Sequence, residues 1–274
     1  MAQPTLHSVR NPIPAAVAFS GSGFLAPAHA GAAAALIDHG YQFADLAGTS
    51  GGSIIAALLA IGKTMADLRS IALTTDFKPL FRPSMGSILT LSAYCNGNAL
   101  LDWLEAELGE TTFLSADLPV TIVATDLRTQ GPFIFSPQTT PDVRLSFACR
   151  CSASVPFGYL PVTYEGALLV DGGVANNIPV DKLVGPTKIG IDIVDTQSQD
   201  LDTPLDIAGA LISTMLTTNE SARIALGEVT GATIVKVPAL GYGFMNTALT
   251  AAQKLALFRS GYDATNAYLL HQAP

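Results

Sequence analysis

The chain has 274 residues, 49% of them hydrophobic and only 13% charged, with 22 acidic against 14 basic side chains. That length and apolar share suit one large core, while a net charge of −8 without any basic cluster makes nucleic acid an unfavourable partner. Mean hydropathy is high at +0.39, yet no run approaches the roughly 20 apolar residues of a spanning helix. The first seven residues lack the basic-then-apolar order of a secretory signal, so a cytoplasmic chain is expected, with attachment at a membrane periphery left open through apolar insertion. Cys95, Cys149 and Cys151 are odd in number and read as small core residues of a reducing compartment. The four histidines are scattered singly, so no metal and no cofactor is implied.

In chain order, residues 15–20 form a short apolar run that stops at glycines, the pattern of a buried strand. An alanine-rich helix is expected over 25–38, a second strand over 43–47 and a helix over 53–61. Residues 75–98 are irregular, rich in proline and glycine, and suit a lid, a wall or a membrane-touching edge. Helical spacing returns over 98–108, with Leu100, Leu101, Leu104 and Leu108 on one side and the single tryptophan, Trp103, on the same element. Residues 118–125 and 132–135 read as a strand pair joined by the polar turn 126–131.

A helix is expected over 143–152, then brief strands over 167–170 and 189–194. The acidic stretch 195–206 lacks the spacing of a calcium loop and reads as a solvated connection. Helical patterns over 205–226 and 248–270 flank a strand candidate at 233–237. Strands alternating with helices imply a mostly parallel sheet with helices on both faces, in one domain over residues 1–274.

The sequence Gly48-Thr49-Ser50-Gly51-Gly52 lies between an expected strand and an expected helix. A serine on such a turn is held in a strained conformation at a helix N-terminus, where free N–H groups favour developing negative charge; small neighbours let the turn close. A serine needs a base, and the histidines disappoint: only His271 follows in the order of common α/β-hydrolases, and His29 and His39 read as core or surface residues. Asp171 is the stronger candidate, because it ends an apolar strand and Gly172 and Gly173 follow it. Gly21-Ser22-Gly23 offers backbone donors near a helix start, with the Gly51 N–H beside them. That same loop, as Gly21-x-Gly23-x-x-Ala26 with Asp45 downstream, also fits a dinucleotide fingerprint, which would leave the Gly48–Gly52 turn without a purpose.

Taken together, Ser20-Gly21-Ser22-Gly23-Phe24, Gly48-Thr49-Ser50-Gly51-Gly52-Ser53 and Asp171-Gly172-Gly173-Val174-Ala175-Asn176-Asn177-Ile178-Pro179 resemble the three motif blocks of patatin-like phospholipases. Ala124-Thr125-Asp126-Leu127 and the stretch from Cys151 to Val162 add to the similarity. The resemblance implies a three-layer α/β/α fold in which a Ser–Asp dyad hydrolyses acyl esters of lipids without metal or cofactor. It assigns Ser50 as nucleophile, Asp171 as base, and Gly21, Ser22, Gly23 and Gly51 as the oxyanion hole, with phospholipid or lysophospholipid as substrate. Ser22 departs from the family's usual glycine, and its N–H can serve if its φ is negative. A carboxylesterase for soluble esters and a non-catalytic lipid- or partner-binding module remain alternatives.

Overall fold

A computed structural model of the chain describes residues 11–89, 93–194, 214 and 231–272. Strand β1 (Ile13–Phe19) leads into helix α1 (Ala26–Asp38), β2 (Tyr41–Thr49) and α2 (Gly51–Ala60). Helix α3 (Met65–Thr74) follows, absent from the sequence reading although its signal was there: Thr64 and Asp67 form a reciprocal capping box at its start. The irregular 75–98 stretch contains a 3-10 turn at Lys78–Phe81, the short helix α4 (Met85–Leu89) and β3 (Ala93–Cys95). Then come α5 (Asn98–Leu108), β4 (Val120–Asp126), β5 (Gly131–Phe135) and α6 (Leu145–Ser152). Strands β6 (Phe157–Tyr159), β7 (Val162–Tyr164), β8 (Ala167–Val170), β9 (Lys188–Val194) and β10 (Ala232–Pro238) precede the terminal helix α7 (Ala251–Gln272). The expected connection 195–206 and helix 205–226 lie outside the described residues, apart from Thr214.

The sheet runs β10-β9-β1-β2-β4-β8-β7, with β5 on the other edge of β4. Its β10-to-β4 half is parallel, whereas β5, β8 and β7 are antiparallel. The fold is therefore α/β with a mixed central sheet flanked by helices. Alternation along β1 sorts its side chains between two cores: Ala15, Val17 and Phe19 meet the helices, while Ala16 and Ala18 meet Ile178, Val180 and Leu183. Helices α1 and α7 pack together at Gly31 and Gly261. A β-carbon on Gly31 would strike Phe258 O, and one on Gly261 would strike Ala28 O, so the two backbones approach more closely than side chains would permit. No helix among the described residues is long and apolar enough to cross a membrane.

Strand β4 is what positions the site. Its edge opposite β5 pairs first with β2, ending at Thr49↔Val123, and then with β8, where Val170 faces Thr125. The two strands run toward each other along that edge and stop two residues apart, about 7 Å at the usual strand rise. The next residues of the two chains are Ser50 and Asp171.

Candidate active site

Ser50 is the N-cap of α2 with φ 50° and ψ −126°, a conformation non-glycine residues adopt only under constraint. The constraint is visible bond by bond. The Ser50 N–H donates to Ser152 Oγ at 2.8 Å, and Ser152 Oγ in turn donates to Val123 O at 2.6 Å, so the end of α6 ties the turn to β4. The Ser53 hydroxyl donates to Ser50 O at 2.6 Å. Close packing accounts for the glycines: a β-carbon on Gly52 would collide with Ser20 O, and one on Gly48 would sit 2.5 Å from Ser53 Cα.

Asp171 arrives from β8 with its N–H donated to Ser154 O at 2.9 Å, so the last turn of α6 and the residues just beyond it hold both members of the pair. Thr125 adds a second tie, its hydroxyl donating to Asp171 O at 2.8 Å and accepting from Ala175 N. Gly173 N–H donates to Asp171 Oδ1 at 2.8 Å, and Gly172 lies so close to Val123 O that a β-carbon would clash. The carboxyl is 3% exposed, and burial pushes its pKa from 3.8 up to about 6, against the pull of the Ser50 hydroxyl and the Gly173 amide. Ser50 thus neighbours the carboxyl closely enough to act on it, although Asp171 Oδ2 has no partner of full hydrogen-bond geometry among the described residues. Such long or poorly aligned bonds are common before substrate tightens a site.

The glycine loop follows β1, beside the Ser50 turn because Phe19 pairs with Gly48. Gly21 departs from its expected role as donor: its N–H is committed to Asn177 O at 3.0 Å. The N–H groups of Ser22, Gly23 and Gly51 have no hydrogen-bond acceptor among the described residues. Ser22 keeps a negative φ, so its amide can serve despite the side chain, and its hydroxyl is buried without a hydrogen-bond partner among the described residues. Gly23 has φ +53° and lies against Phe244 O, while Phe24 N donates to the same carbonyl at 2.8 Å. That covering strand of chain and the use of Asp45 Oδ2 as acceptor for Val184 N at 2.7 Å weigh against a dinucleotide on this loop.

A cavity of about 50 Å³ opens at Ser50. Its walls are almost wholly apolar and include Phe24, Ile54, Phe77, Leu100, Trp103 and Met245. Two cations brace these walls, and neither was singled out in the sequence. The buried Arg150 guanidinium donates to Gly97 O, Asn96 O, Leu160 O and Ser154 Oγ and stacks 5.4 Å from the Tyr159 ring. Lys254 of α7 donates to Thr75 O and lies 4.8 Å from the Phe77 ring. A lone arginine inside the otherwise uncharged 145–152 helix was the one available signal.

The remaining candidates take structural places. His29 is fully buried, its Nε2 bonded to Ser20 O at 2.8 Å, and burial lowers its pKa from 6.5 to about 4, so it is neutral at pH 7. His39 bonds Asn266 Oδ1 on α7. The Asp126 carboxyl accepts from Arg128 N, Leu168 N and Thr129, which holds its pKa below the usual value and pins the β4–β5 turn to β8. Cys95, Cys149 and Cys151 are free and buried, with thiols pushed up to about 12 by desolvation.

Comparison with known proteins bears on the fold and the family. An uncharacterized protein of Acanthamoeba polyphaga mimivirus, R571, is 33% identical over 190 residues, covering 62% of this chain and 64% of its own. YqhO of Bacillus subtilis is 28% identical over 283 residues, covering 92% and 96%. An NTE family protein of Mycobacterium bovis, Mb1092c, is 28% identical across 62% of this chain, which spans only 45% of that relative. Among solved structures, VipD from Legionella pneumophila superposes with a TM-score of 0.61 at 14% identity, over 94% of this chain and 67% of VipD. The type III effector ExoU gives 0.54 at 15% identity, over 95% and 53%. At those identities the likeness is one of fold. Residues 17–184 match the Patatin-like phospholipase family, more than half of the chain, and the protein belongs to that family.

Proposed function

We propose that this chain is a lipid acyl hydrolase, acting as one patatin-like domain on phospholipid or lysophospholipid in the cytoplasm. The observation that carries the reading is the convergence, at the mouth of an apolar cavity, of a strained serine with a buried aspartate whose pKa is raised to about 6. An aspartate of ordinary pKa is a weak base at neutral pH; one near 6 is ionised at pH 7 and accepts a proton more readily.

In this reading the Asp171 carboxylate takes the Ser50 proton as Oγ attacks the ester carbonyl. The amides of Ser22, Gly23 and Gly51, with the N-terminus of α2, hold the oxyanion. Collapse of the tetrahedral species expels the alcohol, which takes the proton back from Asp171 and leaves an acyl-Ser50. Water then attacks the acyl group, giving its proton to Asp171, and Ser50 recovers a proton as the fatty acid leaves. The apolar lining of the cavity suits an acyl chain.

The test is a lipid panel scored for released fatty acid, run beside Ser50→Ala and Asp171→Asn and accompanied by fluorophosphonate labelling. Turnover and labelling lost in Ser50→Ala support the dyad. An intact chain that neither turns over nor labels favours a non-catalytic module. Equal rates on dissolved and aggregated ester point to a soluble carboxylesterase.

A further inference from the structure

Three large apolar side chains stand out on elements next to the cavity walls, forming a lip beyond its lining residues: Met85 and Ile88 on α4 and Phe157 on β6, exposed by 71%, 37% and 61%. Their proximity follows from the chain. Ser84 N donates to Tyr94 O at 2.9 Å, α4 packs against β3, and Ala93 of β3 pairs with Phe157. Two residues along β6, Tyr159 lines the cavity and donates its hydroxyl to Leu80 O. Phe157 also holds φ 64°, a conformation that is an outlier for a bulky side chain, so this position keeps an exposed aromatic at a cost in strain.

Charge marks the same face. The segments that wall the cavity and its lip, residues 20–37, 46–62, 77–101, 151–164 and 237–253, contain none of the 22 carboxylates of the chain. Within them Lys78 and Arg82 are the only lysine and arginine, both exposed and just before α4, while Asp76, just outside, accepts from Lys78 N at 3.1 Å. In a protein of net charge −8, two exposed cations thus stand immediately before the exposed apolar side chains of α4.

We propose that this lip docks the protein on an anionic phospholipid bilayer, with Met85, Ile88 and Phe157 entering the headgroup–acyl boundary and Lys78 and Arg82 facing lipid phosphates. A lipid then passes from the bilayer into the cavity without its acyl chain crossing water. The inference rests on the reading of the cavity as a lipid site, and its test does not require turnover. The full chain carrying Ser50→Ala is sedimented with vesicles of phosphatidylcholine alone and with vesicles one-third phosphatidylglycerol. Binding to the anionic vesicles is expected, weakened by salt, and reduced about tenfold or more by Met85→Ser with Ile88→Ser and Phe157→Asn. Lys78→Glu with Arg82→Glu should remove the preference for the anionic vesicles. Asparagine tolerates the left-handed backbone at 157, so the triple variant is expected to fold, and with Ser50 present it should hydrolyse a dissolved short-chain ester at the unaltered rate. No sedimentation of the parent chain, equal sedimentation on both vesicles, or sedimentation unchanged in the triple variant overturns the docking proposal and leaves the dyad untouched. Vesicle binding lost in the triple variant of a chain that hydrolyses nothing sustains docking and removes the hydrolase reading.

Discussion

Ser50 and Phe157 both hold φ in the left-handed region, at 50° and 64°, and the protein treats them in opposite ways. Ser50 is 5% exposed and held by bonds from α2 and α6, with the α6 contact relayed to β4, so its strain is over-determined and aims one oxygen at the cavity mouth. Phe157 is 61% exposed and held through its backbone, in a tight turn where Gly158 N and Tyr159 N both donate to Val155 O, which leaves the ring outside. The buried strain is braced by side-chain bonds as well as by the main chain. Strain that presents a surface is braced only through the main chain.

The sharpest way to break the contrast is at the braced end. Ser50→Ala and Asp171→Asn are each expected to lower kcat/KM by about 10⁴-fold or more, measured on the best substrate of the lipid panel. Lowering pH should act next: kcat/KM falls about tenfold per unit below the Asp171 value of about 6 and is level above it, so roughly a hundredfold is lost by pH 4 in a full pH–rate profile. Ser152→Ala removes the partner of Ser50 N and of Val123 O, and should cost about 1–3 kcal/mol of stability and about ten- to a hundredfold in kcat, with KM little changed. Activity kept in Ser152→Thr but lost in Ser152→Ala would show that the hydroxyl bond is what matters.

Stability gives two finer readings. Because Asp171 has a folded pKa near 6 and an unfolded value of 3.8, the folded state binds the extra proton between them. Stability therefore falls as pH rises from about 4 to about 6 and stays lowered above, by about 3 kcal/mol. Asp171→Asn should recover most of this at pH 8 and little at pH 4, read by denaturant unfolding. At the exposed end, Phe157→Asn should raise stability by about 1 kcal/mol through relief of backbone strain, and a loss instead would show that the ring is packed.

The serine turn was legible in the residues because its requirements are local: a strained serine, glycines where neighbouring backbone leaves no room for a β-carbon, a strand before it and a helix after. The alternation of Ala15, Val17 and Phe19 against Ala16 and Ala18 likewise shows a strand buried on both faces. Strands β6 and β7 were not legible, since three residues each carry too little periodicity and are set by their partners. Gly21 was expected as a donor, and only the fold shows Asn177 O occupying its amide. Arg150 and Lys254 brace cavity walls from distant elements, which no local pattern announces.

The amino-acid sequence by itself determined the alternating α/β order, the strained serine turn, the aspartate at a strand end and the family. Only the tertiary structure decided that the ends of β2 and β8 meet, because the two strands share one edge of β4 from opposite directions and stop two residues apart. It also decided that this aspartate is buried, with its pKa raised to about 6, and that β3 and β6 pair to bring Phe157 toward α4. Spacing along a chain says which residues can turn or alternate, whereas burial and convergence depend on which surfaces exclude water together.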